Sequence, residues 1–452
     1  MGGAHPNVLL VHCHDLGRYL GCYGTDVETP RIDAFADEGA LFERHFVTAP
    51  QCSPSRGSLM TGLHPHVNGL MGLAHGDWEI DEGVRILPQY LREAGYETHL
   101  FGLQHISQDT DRLGYDHIHS EGNLYPGVSP AVHEANRARN VAGVVSSFLE
   151  REAFESPFFA SIGFFELHRH REEDGRFGFD ADHYDVDDPD RVRPLPYLPD
   201  RRGIRHDLAE MHGMVAAVDD AFGTILDALE ASGLADETLV VFTTEHGIAF
   251  PRAKGSVYDA GIEAALLLRY PGLADGGERY DELLSNVDVL PTILELLDIE
   301  VPDDLCGRSF LPLLAGEDYE PRERVFAGMV WHDTYNPVRA IRTDRYKYVR
   351  NFWHLPKVYL TADIFASESG REVREQYAVP TRPYEELYDI HETRQEDENV
   401  VYEPQYQDVR TDLSRQLREW MTATDDPLLD GPIVPADYDD ITAWPDRSAD
   451  GS

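Results

Sequence analysis

The segment Gln51-Cys52-Ser53-Pro54-Ser55-Arg56-Gly57-Ser58-Leu59-Met60-Thr61-Gly62 sets a nucleophile at the start of a helical stretch. Pro54 is tolerated in a first helical turn, where its missing N–H would have been unsatisfied anyway. Cys52 then lies where free backbone N–H groups and the positive end of the helix dipole point outward, a natural anion position. Arg56, one turn on, adds a permanent cation with a forked set of donors. Two other strings carry metal-ligand residue types after apolar, strand-like runs: His12-Cys13-His14-Asp15 and Glu245-His246-Gly247. In an open α/β sheet such strand ends open onto the crevice where ligands bind. Mixed imidazole and carboxylate ligands suit zinc, manganese or iron better than calcium, which takes hard oxygens. Taken one at a time, each residue has a plainer use, as a buried thiol or a capping histidine.

The elements that would position these groups follow from hydrophobic periodicity. Apolar runs alternating with helix-period segments predict an α/β fold around a large, mostly parallel sheet sandwiched by helices. Strands are predicted over residues 7–12, 97–101, 157–164, 238–243 and 264–269, and helices over 30–38, 54–61, 132–150, 207–231 and 287–297. Residues 165–199 turn to Asp, Arg, His and Pro and read as a long active-site loop. Past a Pro-, Gly- and charge-bearing change near 311–322, strand-like runs at 325–331, 338–341 and 346–351 and the segment 385–389 lead to a helix over 408–420. These features divide the chain into an α/β domain, 1–315, a C-terminal α+β subdomain, 316–424, and an acidic tail or arm, 425–452.

Composition narrows the function classes. The chain has 452 residues and is 42% hydrophobic, enough for a substantial core. Its 39 Lys and Arg against 82 Asp and Glu give a net charge of −43, which argues against a nucleic-acid partner. Lysine occurs only at Lys254, Lys347 and Lys357. An acidic, lysine-poor surface is what a protein dissolved in concentrated salt carries, because a Debye length of about 3 Å at molar salt screens self-repulsion; a halophilic source is expected. The four cysteines, Cys13, Cys22, Cys52 and Cys306, do not suggest a disulfide framework. With no secretory pattern and no long apolar run, a cytoplasmic protein without a membrane partner is the expectation.

The string from Cys52 to Gly62 resembles the sulfatase signature Cys-x-Pro-Ser-Arg-x-Ser-Leu-x-Thr-Gly at every fixed position. The order of landmarks along nearly the whole chain is also that of sulfatases, within the alkaline phosphatase superfamily; the resemblance implies that 1–315 is the catalytic domain and that 316–424 forms the family's small C-terminal antiparallel sheet plus helix. Cys-Ser-Pro-Ser-Arg, the Asn68-Gly69 turn with Met71-Gly72-Leu73, and Phe250-Pro251 look most like the sulfamidase branch, the heparan N-sulfatases. The resemblance implies that a formylglycine-generating maturation enzyme oxidises Cys52 to formylglycine, whose hydrate attacks sulfur and later expels sulfate. It implies one divalent metal ion, calcium by family, with His14 and Asp15 in place of the usual Asp-Asp and Glu245 and His246 in place of Asp-Asn. Only Asp15 is an identity, and the histidines lean the site toward Mn2+ or Zn2+.

The same resemblance places the other candidates. Lys254, in Lys254-Gly255-Ser256-Val257-Tyr258, falls on the catalytic lysine, and with Arg56 would cradle the sulfate. His105 falls on the base that collapses the hydrated aldehyde, whereas Leu103 stands where the family carries a lysine; either Gln104 or Arg56 compensates, or the transition state is handled differently. His168 falls on the histidine that protonates the leaving atom. His332 and Asp333 lie where the sulfamidase branch brings residues into its substrate pocket. The implied activity is hydrolysis of a sulfate monoester or sulfamate on a sugar. A phosphonate or phosphodiester hydrolase on the same scaffold, and a non-catalytic anion- or sugar-binding homologue, are the alternatives.

Overall fold

Asn7–Cys13 is a seven-residue strand of apolar residues closed by polar ones, and every residue in it is buried. Burial on both faces demands parallel neighbours covered by helices. The computed structural model, which describes residues 5–119, 129–150, 154–172, 175–378 and 381–434, supplies them. Asn7–Cys13 pairs in parallel with Thr238–Thr244 on one side and Phe158–Gly163 on the other. Glu97–Gly102 and then His117–Ile118 continue the sheet in parallel. Beyond Thr238–Thr244 come Leu266–Arg269, antiparallel to both its neighbours, then Ala40–Phe42 and Glu278–Tyr280. The eight strands form a mixed, mostly parallel sheet.

Alternation along the strands splits the core into two layers. Leu9, Val11 and Cys13 face a cluster built with the helices Pro30–Glu38, Ala138–Leu149 and Arg202–Ala231. Val8 and Leu10 face the opposite cluster, closed by Cys52–Thr61, Leu87–Glu93 and Val289–Leu296. The smaller sheet is antiparallel, ordered Arg324–Trp331, Tyr335–Thr343, Tyr346–Asn351, Glu385–Asp389. One of its faces takes Leu413, Leu417 and Met421 of the helix Gln407–Ala423; the other packs on Val257 and Tyr258 of the larger body. Lys347 ties the two bodies together, pairing with Asp259 and, at 2.7 Å, with Glu396.

Several boundaries differ from expectation, each for a visible reason. The nucleophile helix begins at Cys52 rather than at Pro54, because Gln51 is extended and its carbonyl accepts the first helical bond from Ser55 N–H. The helix expected over 132–150 is two, Pro130–Ala135 and Ala138–Leu149. The break forms because the Glu166 carboxylate accepts Ala138 N–H at 2.9 and 3.0 Å, a long-range cap on the second helix. The long loop carries a small hairpin, His170–Arg171 with Phe177–Gly178. It is held by Arg169, fully buried, which lies 4.1 Å over Phe179 and bonds Asp207 at 2.7 Å and the Ala249 carbonyl at 2.8 Å. The helices Ala362–Ala366 and Glu368–Ala378 were not anticipated.

The stretch expected to start a tail at 425 is folded as far as 434. Asp426 is buried and forms a two-pronged pair with Arg339, at 2.6 and 3.0 Å. The remainder of that expected arm, 435–452, lies outside the described residues. Removing one member of a buried, doubly bonded pair strands the other charge, so Asp426→Ala should lower unfolding free energy by about 3–5 kcal/mol. Denaturant unfolding of the full chain checks this; a loss within about 0.5 kcal/mol of zero would mean the pair is solvated.

Candidate active site

Four neighbouring parallel strands end at the same height, and each delivers chemistry into the turn that follows. The register pairs Cys13 with Thr244, His12 with Gly163, and Gly163 with Gly102. From these ends continue His14 and Asp15, Glu245 and His246, the Glu166–His168 segment, and His105. Backbone bonds stitch the turns together: Glu245 N–H donates to Cys13, His14 N–H to Glu166, and Leu167 N–H to His14. Gly163 is required here, since a Cβ would meet the Leu103 carbonyl oxygen at 1.9 Å. Asp15 and His105 both adopt left-handed backbone, φ 44° and 53°, at a cost of about 1–3 kcal/mol each that the packing around them must offset.

At the centre, two carboxylate oxygens face two imidazole nitrogens. His14 Nδ1 is 3.0 Å from Asp15 Oδ1 and 2.7 Å from Glu245 Oε1, and His246 Nε2 is 3.1 Å from each of the same two oxygens. The Cys52 sulfur completes a group whose ligand atoms all lie within 4.8 Å of one another. All five residues are buried. His246 Nδ1–H donates to the Gly247 carbonyl at 2.8 Å, which fixes the ring with Nε2 inward.

The electrostatics describe a site that demands positive charge. Burial alone would depress the His14 pKa, but Glu245, Cys52 and Asp15 overcome it and raise it to about 10. His246 is likewise raised against burial by Glu245 and Asp15. Burial would raise Asp15 and Glu245, yet Lys254 and His14 hold the first, and Arg56 and His14 the second, well below the usual carboxylate range. Burial and Glu245 push the Cys52 thiol up, and His14 and Lys254 more than reverse them, leaving it below an ordinary thiol. Protons on the two histidines thus do what a bound cation would do. His14 Nδ1, His246 Nε2 and Asp15 Oδ1 make no hydrogen bond of good geometry although buried. Donors spaced near 3 Å with mixed nitrogen and oxygen character fit a divalent transition ion, with bonds of about 2.0–2.2 Å, and metal binding would displace those protons.

Around this core the remaining predicted residues take distinct places. Lys254 Nζ bridges Asp15 Oδ2 at 2.8 Å and Asp363 Oδ2 at 2.9 Å. Arg56 donates from Nε to the outer oxygen of Glu245 and from Nη1 to His12, leaving Nη2 without a partner. Most of its charge therefore serves Glu245 rather than an open anion cradle. The His168 ring meets His14 edge-on at 4.7 Å, and its Nδ1 is 2.5 Å from the Arg169 carbonyl. Burial, Lys254 and His14 lower its pKa to about 3, so it rests neutral. His105 stacks on His14 at 5.8 Å and shares a 3.2 Å hydrogen bond with His75; burial, His14 and His75 keep it neutral too. Gln104 does not replace the missing lysine, because both ends of its amide bond the backbone of its own loop at Ile106 and Ser107. His332 and Asp333 lie in the turn between Arg324–Trp331 and Tyr335–Thr343, outside the metal-ligand group. Sequence reasoning missed Asp363, the second anchor of Lys254, because it arrives from the C-terminal part of the chain in a short helix without a motif.

The sulfatase family model matches residues 6–299, and that of the C-terminal part of N-sulphoglucosamine sulphohydrolase matches residues 245–381. The chain belongs to the sulfatase family. It is 28% identical to N-sulphoglucosamine sulphohydrolase of Homo sapiens across 94% of this chain and 92% of that protein. An ulvan-active sulfatase of Formosa agariphila is 27% identical across 95% of this chain and 82% of its own length. The crystal structure of the phosphonate monoester hydrolase of Agrobacterium radiobacter shares the fold, with a TM-score of 0.70 at 21% identity, over 93% of this chain and 96% of that one. All four cysteines are free, and no helix among the described residues is long and apolar enough to cross a membrane.

The arrangement separates donors that reach the centre from histidines that only line it. His14→Ala and His246→Ala should each lower the divalent-ion content of the purified protein, whereas His105→Ala and His168→Ala should leave it unchanged. Elemental analysis after gel filtration reads the difference, and equal losses in all four would dissolve the distinction.

Proposed function

We propose that this chain hydrolyses a sulfate ester or sulfamate carried on a saccharide, with residue 52 as the nucleophile. The observation that carries the proposal is the shared position of the Cys52 sulfur, at the first turn of its helix, with His14, Asp15, Glu245 and His246 in one buried group. Conversion of the Cys52 thiol to formylglycine by a maturation enzyme would give a hydrated aldehyde, one hydroxyl to attack sulfur and a second to release sulfate. A divalent ion held by the four donors would acidify the attacking hydroxyl and offset charge on the sulfuryl oxygens. The imidazole-bearing donor set favours a manganese- or zinc-like ion over calcium.

The chain's own residues supply the rest. Lys254 stays protonated between Asp15 and Asp363, fixed in place to neutralise charge as it develops on the sulfuryl group. With Nδ1–H donated to Arg169, His168 offers Nε2 to the departing oxygen or nitrogen. It rests neutral and gains its proton when the anionic substrate arrives, because a nearby negative charge favours imidazolium. His105, also neutral, is in the state a proton acceptor needs and takes the hydroxyl proton that frees sulfate. His332 and Asp333 contribute to recognition of the sugar. An acidic molecule repels an anionic substrate at low ionic strength, so turnover should improve as salt screens the surface, in keeping with a salt-adapted, cytoplasmic setting.

Protein produced in its native host tests the proposal. The peptide across residues 45–60 should carry the aldehyde mass, and turnover on sulfated or N-sulfated sugars should exceed turnover on phosphodiesters and phosphonates. An unmodified thiol with no turnover would identify a binding homologue, and faster phosphonate or phosphodiester hydrolysis would identify the sister activity. Within the active enzyme, His168→Ala should cost about 10^2–10^4-fold on a sugar sulfate and far less on an aryl sulfate with an activated leaving group. Equal losses on both would remove the general-acid role.

A further inference from the structure

A second cluster of metal-ligand residues spans the last two strands at one edge of the large sheet, Glu97–Gly102 and His117–Ile118, apart from the group gathered at residue 52. Parallel pairing there sets His99 opposite His117 and Leu100 opposite Ile118. Side chains alternate faces along a strand, so Glu97 and His99 share a face with His117 and His119 of the neighbour. The contacts bear this out. His117 Nε2 is 2.8 Å from Glu97 Oε1, and His99 Nε2 is 3.6 Å from the same oxygen. The His99 and His117 rings stack at 4.9 Å, and the three ligand atoms lie within 4.8 Å of one another.

Two features distinguish this group from a surface ion pair. The His99 side chain is fully buried, whereas Glu97 and His117 are 29% and 49% exposed, so the group opens to solvent on one side only. The His99 ring is also oriented from behind: its Nδ1 shares a 3.0 Å hydrogen bond with His119 Nε2, which leaves Nε2 toward Glu97. His119 in turn stacks flat on Phe101 at 4.2 Å. A ligand imidazole whose other nitrogen is held by an outer partner is the usual construction of a metal centre.

We propose that Glu97, His99 and His117 form a second divalent transition-metal site, of the two-imidazole, one-carboxylate type that takes zinc. Its chemistry is structural. The ion joins two adjacent strands at the edge of the sheet, where His117–Ile118 is a two-residue strand, and so pins that edge. Binding exchanges the 2.8 Å His117–Glu97 contact for coordination.

The probe is Zn2+ added to chelator-stripped full-length protein, with bound zinc counted after removal of the free ion. Wild type should hold one more equivalent than His117→Ala and one more than Glu97→Gln, and zinc should raise the melting temperature of wild type more than that of either variant. His119→Ala should weaken the edge site by about 10- to 100-fold. His246→Ala, which breaks the other group, should still bind zinc at the edge. Circular dichroism confirms that the variants are folded; His117 is half-exposed and Glu97→Gln preserves shape. Equal zinc counts in wild type, His117→Ala and Glu97→Gln, or no zinc bound by His246→Ala, would overturn the proposal. Turnover should persist in His117→Ala whatever the zinc count, so the test stands apart from the activity at residue 52.

Discussion

Asp15 and Glu245 are carboxylates with almost no access to water, and the site depends on how they are neutralised. Desolvating an ion costs several kcal/mol unless partners compensate. Here each carboxylate divides its two oxygens. One oxygen of each faces the pair of imidazoles; the other is taken by a permanent cation, Lys254 for Asp15 and Arg56 for Glu245. The outer cations fix the carboxylates in place, while the inner oxygens are left for protons or for a metal. Lys254 needs a second anchor, Asp363, and Arg56 a second acceptor, His12, so the constraint spreads outward through the fold.

That requirement accounts for features that look unrelated. The long segment after Phe158–Gly163 must return His168 to the centre, and a buried arginine packed against the stacked rings of Phe179 and Phe250 does so by holding the adjacent backbone. The C-terminal part must bring Asp363 close, and its small sheet is tied to the larger body through Lys347 and Arg342 on Asp259. Two of the chain's three lysines are therefore buried structural cations in a molecule of net charge −43. Two of the scarce ammonium groups are kept where burial makes them effective, and apart from exposed Lys357 the charged groups facing solvent are carboxylates and arginine.

Much of this was legible in the residues. Strand–helix alternation gave the sheet, since buried parallel strands read as apolar runs, and the helix over 30–38 was read to the residue. The signature around Cys52 and the two polar strings at strand ends marked the centre, because motifs there are local in sequence. Long-range partners were not legible. Asp363, His75 and the cap from Glu166 onto Ala138 depend on chain segments meeting from far apart, and no periodicity encodes that. Arg56 shows the limit from the other side: its residue type was read correctly as a cation beside the nucleophile, but which carboxylate would claim it is a matter of tertiary geometry. Residues 425–434 looked like tail by composition, yet Asp426 on Arg339, buried Leu428, and the backbone bonds of Ile433 with Trp331 and Tyr335 hold them in the fold.

The most direct test of the central claim is anomalous diffraction from crystals of protein isolated from its native host. The account predicts a strong metal peak among His14, Asp15, Glu245 and His246, with bonds of about 2.0–2.2 Å and residue 52 beside it, independent of any peak at the sheet edge. A map with those four side chains paired to one another and the metal peak displaced from them, or absent at full activity, would contradict it.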